Sequence, residues 1–223
     1  MYKYKNLTVL GTSHIAKQSI EQVRKAFKTI KPNIVALELD KPRFLALTSK
    51  NKIIPLKKYK GLNFKSFLFN LIGSYIEKNL SKQTGFSPGT EMKTAINLAK
   101  KQKIRIELID QPINITINKL TSQLTKREKL SLLKEILLFP FAKNKIEFNL
   151  NKVPSEEIIN KLIKETKEKY PTVYRILVKE RNEYMAKALY KIMNTNPDNK
   201  ILTVVGAGHQ KEIINEIKKV IKN

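Results

Sequence analysis

Apolar residues follow two periodicities in the first part of the chain. Residues 5–10 (KNLTVL) end at Gly11 and are typical of a short buried strand. Residues 19–30 place apolar side chains at helical spacing, and Pro32 ends that helix. Residues 33–39 (NIVALEL) then predict a second buried strand. Because a helix connects these strands, we expect a β-α-β unit with a parallel strand pair.

Two further strands follow the same pattern. Residues 91–102 predict a helix that leads into a strand over 104–109, which ends at Asp110. Residues 201–205 (ILTVV) predict a last strand, followed by a helix from about 211 to 221. Four such strands separated by helices indicate an α/β fold, with a mostly parallel sheet flanked by helices on both faces.

The middle of the chain has a different pattern. Residues 45–85 mix lysine-rich and aromatic segments. Helical periodicity then dominates three stretches: 121–138, 155–170 and 172–193. We expect a single domain over residues 1–223. Its α/β core covers about 1–120 and 200–223, and a helical cap over about 121–195 is inserted before the last strand.

Composition narrows the class of protein. With 223 residues and 41% hydrophobic residues, the chain can build a core of ordinary size. It contains no cysteine, which excludes disulfides and thiolate nucleophiles and fits a reducing compartment. No apolar run approaches the roughly 18 residues that span a bilayer. The N-terminus lacks the pattern of a secretory leader. We therefore expect a soluble, cytoplasmic protein without a transmembrane segment.

The formal charge of +25 comes mostly from evenly distributed lysines. Nucleic-acid recognition favours arginine and usually clusters positive charge on one face. Only six arginines are present: Arg24, Arg43, Arg105, Arg127, Arg175 and Arg181. We interpret the lysines as a solubilising surface rather than a nucleic-acid interface, and an anionic partner stays open.

The two histidines of the chain occur in matching motifs. His14 ends Gly11-Thr-Ser-His, and His209 ends Gly206-Ala-Gly208-His. Each motif follows a predicted strand and precedes a helix, where parallel sheets form their ligand crevice and glycine permits a sharp turn. Two imidazoles at one sheet edge can bind one metal ion. The alternative is that each histidine caps a turn.

Glu38 is a carboxylate at the end of an apolar strand, where burial is costly unless a cation or donor compensates. One interpretation is a structural ion pair with Arg43. The other makes Glu38 a third metal ligand or a general base, with Arg43 orienting it or binding a substrate carboxylate.

Further charged residues have simple structural interpretations. Glu91 is a first-turn acid that complements a helix dipole, and Asp110 ends the third strand. Glu180 and Arg181 are typical of a solvated helix face. Asp110 can also line the crevice.

Six short motifs occur in an order that resembles the TraB (TraB/PrgY) family over about residues 7–216. They are Gly11-Thr-Ser-His14, Glu38-Leu-Asp-x-x-Arg43, Pro88-Gly-Thr-Glu91-Met92, Leu108-Ile-Asp110, Glu180-Arg-Asn-x-Tyr184-Met185-Ala186 and Val204-Val-Gly-Ala-Gly-His209.

This resemblance implies a relationship to the Tiki metalloproteases and hence a metal-dependent hydrolase, most simply a peptidase. His14, Glu38 and His209 stand at the matching positions for a divalent metal such as zinc, manganese or cobalt. TraB itself is associated with the shutdown of a peptide pheromone, so a peptide is the implied substrate or ligand.

The remaining site residues are assigned on the same basis. Glu38, Arg43, Glu180 and Arg181 are predicted as catalytic. Ser13, Glu91 and Asp110 are predicted to bind substrate or support the ligands, and Gly11, Gly206 and Gly208 are turn glycines. Relatives often carry an arginine after the third-strand aspartate, where this chain has Gln111 and Pro112. The substrate specificity of this chain is therefore expected to differ from that of those relatives.

Two rival functions remain. One is a non-catalytic regulatory protein that binds a peptide or a small anion in the same crevice. The other is a nucleic-acid binder, which sparse arginine disfavours. Helices of the cap are compatible with a homodimer.

Overall fold

A central sheet organises the computed structural model, which describes residues 1–12, 17–49, 89–138 and 156–222. Its strands within these ranges are β1 (Tyr2–Tyr4), β2 (Leu7–Thr12), β3 (Ile34–Leu37), β4 (Arg105–Leu108) and β5 (Ile201–Gly206). They form one sheet in the order β1-β2-β5-β3-β4. All neighbouring pairs are parallel except β1 and β2, which are antiparallel.

The most apolar strands occupy the centre of the sheet. Every residue of β3 and β5 is buried, whereas β4 at the edge is partly exposed. This is the burial expected of a parallel sheet covered on both faces. The predicted α/β class with a mostly parallel sheet is confirmed. The antiparallel edge strand β1 was not predicted, because three residues are too few to show a periodicity.

Helices cover both faces of the sheet. Their bounds are α1 (Lys17–Ile30), α2 (Lys41–Thr48), α3 (Thr90–Lys101), α4 (Ile113–Gln123), α5 (Lys126–Leu138), α6 (Glu156–Lys169), α7 (Pro171–Tyr174), α8 (Glu180–Thr195) and α9 (Gln210–Lys222). A π-helical segment, Arg175–Lys179, connects α7 to α8, and a 3-10 turn, Ala207–His209, connects β5 to α9.

Two apolar clusters hold these layers together. On one face, α8 and α9 contribute side chains such as Met185, Leu189 and Ile213 to a cluster with β2, β3 and β5. On the other face, α1 and α3 contribute Phe27 and Ile96 to a cluster with the same strands. Helix α8 lies within the range predicted for the cap and packs directly on the sheet. The division into core and cap stays a prediction.

The helical region differs from its prediction in two places. The expected helix over 121–138 is divided, because α4 ends at Gln123 and α5 begins at Lys126. The expected helix over 172–193 contains the π-helical segment. Of the lysine-rich and aromatic segment over 45–85, residues 50–85 lie outside the described residues. Among the helices of the described ranges, none has both the length and the apolar character needed to cross a membrane.

Candidate functional site

Glu38 lies at the carboxyl end of β3 and is almost fully buried, with 4% of its side chain exposed. Its Oε2 accepts a hydrogen bond from the backbone N–H of Gly206 at 2.5 Å. Its Oε1 accepts one from Nη2 of Arg181. These donors offset the cost of burying the carboxylate. Because Gly206 ends β5, the hydrogen bond also joins the carboxyl ends of two neighbouring strands.

His209 faces Glu38 from the 3-10 turn that follows β5. Its Nε2 lies 3.5 Å from Oε1 of Glu38 and 3.4 Å from Nη1 of Arg181. Its Nδ1 lies 2.6 Å from Oδ1 of Asn182. Since arginine carries only donors, Nε2 accepts from it, and Nδ1–H donates to the Asn182 carbonyl. In this tautomer the Nε2 lone pair is directed into the site.

Arg181 is held by a bidentate ion pair with Asp110. Its Nε donates to Oδ1 at 3.0 Å and its Nη2 donates to Oδ2 at 2.6 Å. Asp110 has none of its side chain exposed. Burial would lower the pKa of Arg181, but hydrogen bonds and charge from Asp110 and Glu38 outweigh it and raise that pKa above its ordinary value. Arg181 is a permanent positive charge beside Glu38.

Arg43 supports the same aspartate from the other side. Its Nη2 donates to Oδ2 of Asp110 at 2.6 Å and its Nε to Oδ1 of Asp40 at 2.9 Å. Burial opposes the charge, yet Asp110 and Asp40 raise the pKa of Arg43. The ion pair considered between Glu38 and Arg43 is therefore replaced by one between Glu38 and Arg181.

Asp40 fixes the position of Arg43. It caps the N-terminus of α2, where its Oδ1 accepts from the Arg43 backbone N–H at 3.0 Å. Its Oδ2 accepts from the N–H of Ile113 at 2.7 Å, which ties α4 to the same corner. Burial raises the pKa of Asp40, but the hydrogen bonds from Ile113 and Arg43 more than compensate and lower it.

The π-helical segment sets the direction of Arg181. One extra residue per turn rotates the side chains that follow it, and such segments are frequent at functional sites. Arg181 lies two residues beyond this segment, and its Nη1 also donates to the carbonyl of Leu177 within it, at 3.2 Å.

Glu180 lies on a different side of the helix from Arg181. Its carboxylate pairs with Lys119 at 2.7 Å and with Arg175 at 2.6 Å. Burial raises the pKa of Glu180, but the two cations outweigh it and lower the pKa. Adjacent helical residues point about 100° apart. The two members of the Glu180–Arg181 pair therefore face different surroundings.

Glu91 is 1% exposed in the first turn of α3. Gly89 precedes this helix with a φ of 82°, a left-handed conformation that glycine adopts readily. The position of Glu91 fits the predicted complement to the helix dipole.

Close backbone packing explains the glycine at position 11. A Cβ there would lie 2.5 Å from Oε1 of Gln210 and 3.1 Å from Cα of Ala207. Gln210 itself donates to the carbonyl of Val9 at 2.9 Å. A Cβ on Gly208 would meet only an ordinary contact, 3.8 Å from Ile163.

Two predicted site residues fall in a part of the chain that the structure does not describe. Ser13 and His14 lie outside the described residues. Among the residues that are described, no group of three or more histidine, cysteine or acidic side chains is placed to hold a metal ion.

Asn182 and Gln210 were not predicted as site residues. Asn182 directly follows Arg181 in the Glu180-Arg-Asn motif, and this position is the sequence signal that could have identified it as a site residue.

The pair Glu38–His209 nevertheless offers donors suited to a divalent cation. Two ligands each about 2.1 Å from a tetrahedral metal ion are about 3.4 Å apart. The 3.5 Å between Nε2 of His209 and Oε1 of Glu38 matches that separation. The other atoms of both groups are held by Asn182 and Gly206, as is usual for metal ligands.

Similar proteins occur in archaea and mammals. An uncharacterized protein of Methanocaldococcus jannaschii is 37% identical over 219 residues, which cover 96% of this chain and 54% of that protein. The TraB domain-containing protein of Homo sapiens is 23% identical over 193 residues, which cover 79% of this chain and 50% of that protein. The chain thus spans about half the length of the curated relatives it matches.

Among solved structures, one that describes cofacial heme binding to ChaN of Campylobacter jejuni aligns with a TM-score of 0.41 and 14% identity. The alignment covers 96% of this chain and 77% of that one. The TraB/PrgY/gumN family matches residues 3–219, and the chain belongs to that family, as its motifs predicted.

Proposed function

We propose that the chain is a metal-dependent hydrolase that acts on peptides, with Glu38 and His209 at its centre. One observation carries this proposal: two electron-pair donors, Oε1 of Glu38 and Nε2 of His209, face each other 3.5 Å apart. They lie at the carboxyl ends of neighbouring strands, where α/β sheets bind ligands. Glu38 and His209 would hold a zinc, manganese or cobalt ion there, which would supply Lewis-acid chemistry to polarise a carbonyl.

His14 is the proposed third donor. It follows Thr12 by two residues in the sequence, and Thr12 pairs with Gly206 in the parallel register of β2 and β5. Both Gly-x-x-His motifs thus begin at the carboxyl ends of paired strands, one residue out of register, because Gly11 pairs with Val205.

The residues around the donors fix their roles. Asn182 holds Nδ1–H of His209, so Nε2 is the atom that binds. Both oxygens of Glu38 have donors, the Gly206 N–H at Oε2 and Arg181 Nη2 at Oε1. Oε1 faces His209, so we assign it to the metal, which would take the place of the Arg181 donor. Asp110 keeps the Arg181 guanidinium beside Oε1, where its positive charge offsets the burial of the Glu38 carboxylate.

Arg43 is the more accessible of the two arginines. Its side chain is 34% exposed, compared with 15% for Arg181. We therefore assign Arg43 to a side-chain carboxylate of the peptide and Arg181 to the support of Glu38. A planar guanidinium binds carboxylates through two parallel hydrogen bonds.

Metal content tests the proposal directly. The protein is purified without a histidine tag as wild type, as the His14→Ala, His209→Ala double variant, and as Glu38→Gln. Glu165→Gln, at an exposed position of α6, is the matched control. We expect nearly one metal ion per chain in the wild type and the control, loss in the double variant, and reduced content in Glu38→Gln.

Peptide hydrolysis is then followed by mass spectrometry with the loaded wild type and Glu38→Gln. We expect cleavage by the wild type and at least a hundredfold slower cleavage by the variant. A wild type that stays empty after reconstitution with zinc, manganese and cobalt refutes the proposal.

One contact favours a second candidate, a non-catalytic peptide- or anion-binding protein. Nη2 of Arg181 donates to Oε1 of Glu38 and balances its charge. In that case Arg43 serves as donor to a bound anion, and His209 donates to it through Nε2 when that nitrogen is protonated. Peptide binding that is unchanged by a chelator, with no cleavage by the metal-supplemented protein, distinguishes this function from the first.

A further inference from the structure

A cavity of about 380 Å³ lies beside the turn that carries His209. Ala207 and Gly208 of that turn form one wall, and the first residues of α9 continue it. Helix α6 forms the opposite wall. Small-ligand pockets range from about 300 to 1,000 Å³, so this one suits a ligand of one or two amino-acid residues.

The charged residues of the cavity leave one net positive charge. Lys167 and Lys211 carry ammonium groups, and Glu212 carries the opposing carboxylate. Nζ of Lys167 lies 5.7 Å from the centre of the Tyr174 ring, so the ammonium group is held next to this ring at the edge of the cavity. A single excess charge complements one carboxylate better than a doubly charged phosphate.

Apolar surface lines the rest of the cavity. Ile159 and Ile163 project from α6, and the rings of Tyr2 and Tyr174 add aromatic area. Such a surface favours an apolar or aromatic side chain. The carboxylate and this side chain must lie close together to use both features, as they do in the last residue of a peptide.

We propose that this cavity binds the C-terminal residue of a peptide, with its carboxylate at Lys167 and its side chain on Ile163 and Tyr174. The link to cleavage rests on the function proposed above. Water then adds across the peptide bond that precedes the bound residue: hydroxide joins the carbonyl carbon, and the departing amine takes the proton. The chain would therefore prefer peptides with a free, apolar C-terminus.

Calorimetric titration with two matched peptides tests the proposal. Acetyl-Gly-Phe with a free carboxylate and its C-terminal amide are titrated into the full chain stripped of metal with a chelator. Lys167→Met removes the proposed partner of the carboxylate. Lys164→Met is the matched control, because Lys164 is exposed on the same helix and does not line the cavity.

We expect the acid to bind at least tenfold more tightly than the amide. Lys167→Met should weaken binding of the acid at least fivefold, and Lys164→Met should weaken it less than twofold. Equal affinity for acid and amide, equal effects of the two substitutions, or no binding at millimolar concentration each overturn the proposal. Because the titration needs neither metal nor turnover, its failure leaves the hydrolase proposal standing. An empty metal site likewise leaves this one standing.

Discussion

Asn182 decides which nitrogen of His209 is available. It is 3% exposed, and its carbonyl oxygen accepts from Nδ1–H at 2.6 Å. Asn182→Ala leaves that buried N–H without its acceptor, at a cost of about 1–3 kcal/mol. We expect the substitution to allow the other tautomer, whereas Asn182→Asp retains an acceptor oxygen and keeps the Nδ1–H form.

Nitrogen-15 NMR of the imidazole rings measures this effect. The chain has two histidines, so His14→Gln assigns the His209 signals. Spectra are recorded at pH 8, well above the ordinary imidazole pKa of about 6.5. An Nδ1–H tautomer that persists in Asn182→Ala contradicts the role given to Asn182. The exposed Asn215→Ala is a control for unspecific effects.

Gly11 and Gly208 form a matched pair of substitutions. Alanine at position 11 displaces Gln210, breaks its hydrogen bond to Val9 and crowds the backbone of Ala207. We expect Gly11→Ala to lower the free energy of unfolding by about 1–3 kcal/mol. Gly208→Ala should change it by less than about 0.5 kcal/mol, because its Cβ meets an ordinary contact. Urea unfolding of both variants checks this. Similar losses of unfolding free energy in the two variants would mean that lack of space for a Cβ does not explain the glycine at position 11.

These residues also mark how far sequence reasoning reaches. Glu38, Asp110 and His209 could be named because each follows a strand, and parallel strands end at one edge. Which of Glu180 and Arg181 faces that edge could not be named. It depends on the π-helical segment, whose hydrogen-bond register leaves no trace in the apolar pattern.

Helix α5 begins with a capping box that also holds α7. Thr125 and Glu128 exchange hydrogen bonds between side chain and backbone, and Oε1 of Glu128 accepts from the N–H of Thr172 at 2.8 Å. Burial raises the pKa of Glu128, but the bonds from Thr125 and Thr172 outweigh it and lower the pKa. The ionised carboxylate therefore stabilises the folded chain.

The lowered pKa gives a definite pH dependence. Stability from Glu128 is fully present above the ordinary carboxyl pKa of about 4.3 and is lost as pH falls through the lower folded value. We expect Glu128→Gln to cost about 0.5–2 kcal/mol at pH 7 and progressively less below pH 4. Denaturant unfolding at several pH values measures the difference, with exposed Glu165→Gln as control. A difference that stays constant with pH contradicts the assignment.

The same capping box could have located the break between α4 and α5. Threonine followed three residues later by glutamate is a sequence signal for a helix start. The apolar period instead continued through Leu124, so one helix was predicted. The parallel strands were predictable because their apolar runs are bounded by helices on both sides.

The order of strands lies beyond this kind of reasoning. The last strand, β5, enters between β2 and β3 and pairs with both. Nothing in the local pattern of residues 201–206 states which neighbours it will have. That insertion is what brings Gly206 and His209 to Glu38, so the fold class was predictable while the assembly of the site was not.

At the scale of the whole molecule, the charge of +25 should weaken the folded state. Compact structure brings the lysines together, and salt shortens the reach of their repulsion from about 30 Å at 0.01 M to about 10 Å at 0.1 M. We expect the midpoint of urea unfolding to rise when sodium chloride is increased over this range. A Lys25→Glu, Lys161→Glu variant, altered at two exposed helical positions, should show a smaller rise because its net charge is four lower. A midpoint that falls with added salt would mean that attraction within ion pairs such as Arg43–Asp110 and Arg181–Asp110 outweighs the repulsion among lysines.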